Sequence, residues 1–154
     1  MLVSNQADGD QNGYRAKRMA TIVLISCVSK KMSHRARAKD LYVSPLFRAA
    51  LQYAQRLSPD KIFILSAKYG LVQLNDEIDP YDVTLKDMPV GERKNWASKV
   101  LQALDRYCDL ERDHFVILAG KRYREYLLPY LKSYEMPLEG LSIGRQLQYL
   151  KQMG

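Results

Sequence analysis

A cysteine and two lysines directly follow an apolar run near the start of the chain. The run 20–26 ends in Cys27, and Lys30 and Lys31 come three and four residues later. A thiolate is a nucleophile, and neighbouring ammonium groups lower the pKa of a thiol. Ammonium groups also bind phosphate or carboxylate, and a desolvated lysine can act as a nucleophilic amine. The segment predicts a site for an anionic ligand, with Cys27 or Lys31 as nucleophile. The alternatives are a buried structural thiol and a solvated lysine pair.

A second polar cluster, Lys68-Tyr69-Gly70, follows the apolar run 61–66. A glycine there favours positive φ, which lets the backbone approach a ligand. The lysine can hold phosphate, and the tyrosine can stack on a base. The alternative is a tight structural turn.

Glycines follow or open the remaining elements. Gly120 follows the run 114–118 and opens a helix, and Gly144 opens the last helix with Arg145 beside it. Exposed amides at a helix start can hold an anion, although plain capping explains the same pattern.

A pair of carboxylates flanks a rigid Pro-Tyr step in the sequence Asp79-Pro80-Tyr81-Asp82. Asp82 is a candidate general base, or a group that hydrogen-bonds to a ribose hydroxyl or to a base edge. The alternative is a turn in which an aspartate caps local backbone groups.

Strands and helices must alternate to position these residues. Short apolar runs rich in β-branched residues predict strands over 20–26, 61–66 and 114–118. Helical periodicity predicts helices over 45–57 and 90–107, and helices opening at Gly120 and Gly144. The helix that opens at Gly120 is expected to have one face formed by Tyr123, Leu127, Tyr130 and Leu131. Pro129 lies in this stretch and is a place where the helix can kink or end early.

This alternation predicts an α/β fold, a three-layer sandwich with a mostly parallel central sheet. In such a sheet the carboxyl ends of the strands share one edge, which is where ligands bind. The polar clusters are therefore expected to converge there. Turn residues make 67–89 an irregular segment, and 27–43 reads as a long loop.

Composition limits the class of protein. The chain has 154 residues, 47% of them hydrophobic, which predicts a single domain over 19–154 after a flexible tail over 1–18. Met19 is an alternative start. No run approaches the roughly 18 apolar residues of a membrane span, and no signal-peptide core is present. We expect a cytoplasmic protein with no membrane partner.

Metal and cofactor chemistry is not indicated. The two cysteines and two histidines complete no metal-ligand spacing, so we expect no metal, no cofactor and no disulfide. The net charge of +7 favours nucleic acid or a nucleotide as partner, with a merely basic soluble domain as the alternative. The oligomeric state is not indicated.

Six motifs occur in order along the chain. They are Cys27-x-x-Lys30-Lys31, Ala38-x-Asp40-Leu-Tyr42-x-Ser44-Pro45-Leu-Phe47, Ser66-Ala-Lys68-Tyr69-Gly70-Leu71, Pro80-Tyr81-Asp82-x-Thr84-Leu, Ala119-Gly120-x-x-Tyr123 and Gly140-Leu-x-Ile-Gly144-x-Gln146-Leu. With this set the chain resembles, over residues 21–150, a bacterial and phage family of unassigned function. More distantly it is similar to the core domain of archaeosine synthase and to the peroxide-stress YaaA group. Those proteins resemble in turn the uracil-DNA glycosylase-like fold.

The spacing of Cys27 and Lys31 matches the cysteine and lysine of archaeosine synthase, although Met32 stands where that motif has proline. The resemblance implies a uracil-DNA glycosylase-like fold and a site at the strand ends that handles a base or nucleotide. The ligand-binding residues predicted from the motifs and clusters are Ser26, Lys30, Tyr42, Ser44, Lys68, Tyr69, Gly70, Tyr81, Gly120, Tyr123, Gly144, Arg145 and Gln146.

Three functions remain open from the sequence. The first is a nucleobase- or nucleotide-directed enzyme that modifies a base, as in deazaguanine chemistry, or cleaves an N-glycosidic bond. Its catalytic residues would be Cys27, Lys31 and Asp82. The second is a nucleic-acid-binding protein without catalysis. The third is a phage accessory protein that sequesters a nucleotide or grips a host protein.

Overall fold

The computed structural model describes residues 19–26 and 30–153, so Cys27 lies outside the described residues. Strand β1 (Thr21–Ser26) is central, and its four middle residues are completely buried. A strand covered on both faces has to be apolar throughout, which explains its unbroken β-branched run. It begins one residue later than predicted.

β1 pairs in parallel with the two other predicted strands. These are β3 (Lys61–Ser66) on one side and β6 (His114–Leu118) on the other, and both have the predicted bounds. Along the chain, β1 and β3 are separated by a short strand, β2 (Ala36–Arg37), which belongs to a second, two-stranded sheet. The prediction of a mostly parallel α/β sheet is confirmed.

Two edge strands complete the five-stranded sheet. β4 (Gly70–Gln73) turns back antiparallel to β3, and β7 (Ser133–Glu135) adds to β6 in parallel. The order is β4-β3-β1-β6-β7. The flanking helices make this architecture compatible with a three-layer sandwich.

The segment 67–89 is more regular than predicted. Besides β4 it holds β5 (Glu77–Ile78), which pairs antiparallel with β2, and a 3-10 turn at Leu85–Asp87. Within the segment predicted as a loop, β2 runs into the one-turn helix α1 (Ala38–Leu41). These elements are too short to produce a periodic apolar pattern.

The longer helices lie close to their predicted positions. α2 (Pro45–Arg56) starts where expected, because the Ser44 hydroxyl accepts a hydrogen bond from the Phe47 amide at 3.2 Å. α3 (Val90–Leu104) ends three residues before the predicted bound, and α5 (Ile143–Met153) begins one residue before Gly144. In the described residues no helix has the length and apolarity needed to cross a membrane.

The helix predicted to open at Gly120 does begin there, but it is much shorter than its predicted apolar face requires. Only one turn forms, α4 (Lys121–Arg124), and a 3-10 turn at Leu128–Tyr130 leads into β7. Pro129 lies in that 3-10 turn, where its missing N–H and fixed φ are tolerated, whereas a continuing α-helix would lose a hydrogen bond there. The apolar residues after Gly120 are spaced as in a helix, but the buried Leu127 and Leu131 lie in the turn and loop that lead to β7.

Asp113 ties together the amino-terminal ends of the central strands. Its side chain is buried, and its two oxygens accept hydrogen bonds from the backbone amides of Ala20 at 2.9 Å and Asp109 at 2.8 Å. The first bond joins the start of β1 to the start of β6, 93 positions apart.

Replacing Asp113 by Asn is expected to lower the free energy of unfolding by about 1.5–3 kcal/mol, because an amide donor then faces a backbone N–H in a buried place. Urea denaturation measures the change. Asp105→Asn is the matched control, since Asp105 is exposed at the end of α3 and its loss should change stability by less than about 0.5 kcal/mol. Equal effects of the two substitutions would contradict this role of Asp113.

Candidate functional site

The carboxyl ends of the three parallel strands meet at one edge of the sheet. Ser26 ends β1 opposite Leu65, and Ile25 pairs with Leu118 at the end of β6. Across the strands, the Gly120 amide donates to the Ser26 hydroxyl at 3.2 Å. The predicted convergence of the described strand ends is therefore confirmed, and we call this the carboxyl edge.

A cavity of about 450 Å³ opens at the carboxyl edge between the starts of α2, α4 and α5. Five of the predicted ligand-binding residues line it: Ser26, Ser44, Gly120, Tyr123 and Gln146. The rest of its wall is largely apolar, from Leu46, Phe47, Ala50, Leu118, Ala119, Leu138 and Ile143. We call it the sheet-edge cavity.

Basic side chains surround the sheet-edge cavity, and no carboxylate lines it within the described residues. They are Lys86, Lys121, Arg122 and Arg124. Arg124 is engaged by Glu139 at 3.7 Å and Arg122 by Glu125 at 3.6 Å. In the part of the chain that the structure describes, Lys86 and Lys121 form no ion pair. Their uncompensated charge favours an anionic ligand.

Sequence reasoning left these basic residues out of the predicted site. The sequence did contain evidence for Lys121 and Arg122, because they directly follow Gly120 at the end of a predicted strand. It contained none for Lys86, since this residue lies in the segment predicted to be irregular and reaches the cavity only through the tertiary path of the 3-10 turn that carries it. There the Thr84 hydroxyl accepts a hydrogen bond from the Lys86 amide at 3.3 Å.

Two polar side chains in the cavity wall, Ser26 and Gln146, each have one hydrogen-bonding group that no described residue uses. The Ser26 oxygen accepts from Gly120, which leaves its hydroxyl proton without an acceptor among the described residues. The Gln146 amide nitrogen donates to the Leu141 carbonyl at 2.9 Å, which fixes the orientation of the side chain. Its oxygen accepts no hydrogen bond from the described residues. Ser26 thus offers a donor and Gln146 an acceptor to a ligand in the cavity.

A tyrosine cluster lies next to the cavity and contains further predicted residues. The hydroxyls of Tyr42 and Tyr81 are 2.6 Å apart, and the Tyr69 ring meets Tyr81 edge to face with centroids 5.7 Å apart. The Lys31 ammonium lies 4.4 Å from the Tyr81 centroid, a cation–π distance. Together with Lys30, Lys31 and Tyr81, Asp82 lines a depression of about 380 Å³, the tyrosine depression.

The turn between β3 and β4 contributes a third concave surface. Lys68, Tyr69 and Gly70 line a depression of about 370 Å³ together with Trp96 and other residues of α3. Gly70 has φ +75°, which confirms its predicted positive φ. We call this surface the hairpin depression.

Gly144 and Arg145 do not line the cavity, although α5 begins beside it. The Arg145 amide donates to the Ser142 hydroxyl at 3.3 Å, which is ordinary helix capping. At Gly120 and Gly144 a Cβ atom would meet no atom of the described residues within 4 Å, so the fold itself does not require glycine there. Cys27 lies outside the described residues, directly after Ser26 in the chain.

A buried arginine holds the one-turn helix α4 against the sheet edge. Arg93 of α3 is 8% exposed and forms an ion pair with Glu125 at 3.3 Å. The same guanidinium donates to the Met88 carbonyl. Nearby, the Trp96 indole donates to the Ser66 carbonyl at 2.8 Å and its ring meets Tyr123. These contacts fix the wall of the cavity that Gly120 and Tyr123 form.

The described residues contain no group of three or more histidine, cysteine, aspartate or glutamate side chains placed to hold a metal ion. The fold and the cavity define an α/β protein with a candidate anion-binding site at the carboxyl edge of its sheet. The chain belongs to DUF6884, a family of unknown function whose model matches residues 22–152. No curated protein and no solved structure matches it.

The thiol of the second cysteine, Cys108, is expected to react slowly with alkylating reagents in the folded protein. Burial, and then the nearby Asp113 and Asp105 carboxylates, raise the pKa of the Cys108 thiol to about 12. The thiolate is the reactive form, so in folded Cys27→Ala protein Cys108 should react with iodoacetamide far more slowly at pH 8 than in urea. Its rate should keep rising up to pH 10, whereas in urea it should level off above about pH 9. Intact-mass analysis measures the labelling.

If folded and unfolded Cys27→Ala protein were labelled equally fast at pH 8, the raised pKa of Cys108 would be wrong. Cys108→Ala serves as the complementary variant, because it leaves Cys27 as the single thiol of the chain.

Proposed function

We propose that this protein is a nucleobase- or nucleotide-directed enzyme that binds its substrate in the sheet-edge cavity. The observation that carries the proposal is the combination in one cavity of apolar walls, a donor, an acceptor and basic side chains, with no carboxylate among the described lining residues. A nucleotide combines the matching parts: a flat base with a polar edge, and a phosphate. Ligand sites of this size, apolar with a few placed polar groups, are usual for small molecules.

In this proposal the base lies against the apolar wall, where Leu46 and Ile143 provide accessible surface. Ser26 donates to an acceptor on the base, and the Gln146 oxygen accepts from a base N–H. The phosphate lies at the rim near Lys86 and Lys121. The absence of a Cβ at Gly120 leaves room for a ligand beside the backbone.

The candidate chemistry is base modification or N-glycosidic cleavage. Cys27 follows Ser26, whose side chain lines the cavity, and is the proposed nucleophile. Lys31 is the alternative nucleophile, and Asp82 is the proposed acid–base group. Both line the tyrosine depression, not the cavity itself. Lys30 and Lys68 are proposed to hold phosphate. We propose a uracil-DNA glycosylase-like fold for the domain, because a site at the carboxyl ends of parallel strands fits it.

Nucleotide binding tests the proposal directly. Isothermal titration with UMP, CMP, AMP and GMP is expected to show binding of at least one nucleotide, and Lys121→Ala should weaken it roughly fivefold to tenfold by removing a charged contact to phosphate. Lys132→Ala is the matched control, since Lys132 is also exposed but does not line the cavity. Failure of all four nucleotides to bind, or equal effects of the two variants, would contradict the proposal.

A non-catalytic nucleic-acid-binding protein is the second candidate, favoured by the net charge of +7. The two candidates differ in their response to substitutions. Once a substrate is identified, Cys27→Ala and Asp82→Asn should abolish turnover and leave binding largely intact if the protein is an enzyme. Full turnover by Cys27→Ala would remove the nucleophile assignment.

A further inference from the structure

The three concave surfaces of the carboxyl edge adjoin one another. Ser44 of the sheet-edge cavity lies two residues after the buried Tyr42, whose hydroxyl is 2.6 Å from that of Tyr81 in the tyrosine depression. Tyr123 of the sheet-edge cavity and Trp96 of the hairpin depression are in ring contact, with centroids 5.6 Å apart. The tyrosine and hairpin depressions meet at the Tyr69–Tyr81 ring pair. A ligand longer than one nucleotide can therefore contact all three.

The charge along these surfaces has one dominant sign. In the described part of the chain, eight basic side chains line the three surfaces, against two carboxylates, Asp82 and Glu92. The basic residues are Lys30, Lys31, Lys68, Lys86, Lys99, Lys121, Arg122 and Arg124. They are spread over all three surfaces, so a single phosphate in the cavity would leave most of them unused. A chain of phosphates matches this distribution.

An aromatic ring is exposed in the middle of this basic stretch. Tyr69 is 37% exposed on the turn before β4, and its backbone is held because its amide donates to the Ser66 hydroxyl at 3.0 Å. The Lys68 ammonium lies 5.3 Å from the ring centroid. A tyrosine presented on a rigid turn beside a lysine can stack an unpaired base while the lysine contacts the adjoining phosphate.

We infer that the ligand of the carboxyl edge is a single-stranded nucleic acid, with one base in the sheet-edge cavity and another stacked on Tyr69. This inference rests on the proposed function, because it assigns the nucleotide in the cavity to a polynucleotide. Stacking on Tyr69 requires a base that is not already stacked and paired in a duplex, so the strand is single. Lys30, Lys31 and Lys68 contact the backbone between the two bases.

Fluorescence anisotropy with labelled oligo-dT and oligo-rU of two, four and eight nucleotides tests the inference, with UMP and TMP as unlabelled competitors. Affinity should rise with length until the three surfaces are covered. The logarithm of the binding constant should fall with the logarithm of salt concentration, by about 0.7 for each phosphate contacted. The duplex of the same length should bind more weakly than the single strand.

Tyr69→Ala should weaken binding of the eight-nucleotide strand by about fivefold or more and leave binding of a mononucleotide unchanged. Tyr134→Ala is the matched control, because Tyr134 is 40% exposed and lies on β7, away from the three surfaces. Lys68→Ala should reduce the salt slope measured with the eight-nucleotide strand, because one phosphate contact is lost.

The outcomes separate this inference from the proposed function. Mononucleotide binding without any gain in affinity for longer strands would overturn the inference and leave the proposed function standing. Tight strand binding that Tyr69→Ala and Tyr134→Ala affect equally would overturn the stacking role. Preference for the duplex would overturn the single-strand assignment, and binding of neither nucleotides nor strands would overturn both proposals.

Discussion

The parallel pairing of β1 with β3 on one side and β6 on the other is the constraint on which the candidate site depends. Because all three strands run in the same direction, residues far apart in sequence leave the sheet at the same edge. The Gly120 amide thus reaches the Ser26 hydroxyl across 94 positions of the chain. At the opposite end, Asp113 joins the starts of β1 and β6 and so maintains the same register. A shift of one strand would separate the groups that line the cavity.

The positive charge of the carboxyl edge results from the uneven distribution of carboxylates over the described residues. The chain has 17 acidic residues against 24 basic ones, so its acids could neutralise most of the positive charge. In the described residues they lie mainly elsewhere, as in the pairs that Arg35 makes with Glu77 and Asp79 on the small second sheet. At the cavity rim, Lys86 and Lys121 form no ion pair with any described residue. The net charge alone would not reveal this distribution.

The sequence predicted the parts of the fold that burial dictates. β3 and β6 were predicted with the right bounds, because a central strand must be continuously apolar, and Ser44-Pro45 marked the start of α2 through its capping chemistry. β2, the one-turn α1, β5 and β7 were missed, since elements of two to four residues have no periodicity to detect, and the helix opening at Gly120 was predicted too long. Convergence of the strand ends was predictable from topology. The contribution of Lys86 was not, because only the tertiary path of residues 82–89 brings it to the cavity.

The same reasoning explains which site residues were placed together. Ser26, Ser44, Gly120, Tyr123 and Gln146 line one cavity because each lies where an element begins or ends at the carboxyl edge. Lys31 and Tyr81 lie in the neighbouring depression, since the segment after Pro80 packs its tyrosine against Tyr42. Spacing along the chain carries no information about such a contact.

The ion pair between Arg93 and Glu125 links the cavity to a helix that does not line it. A helix of one turn has almost no internal hydrogen bonding, so α4 keeps its position through contacts with other elements. Arg93 supplies one of these contacts from the first turn of α3, through the ion pair with Glu125 in a largely buried place. The shape of the cavity wall is therefore not a local property of residues 119–124. Substitutions at the start of α3 can therefore change the shape of the cavity without changing any residue that lines it.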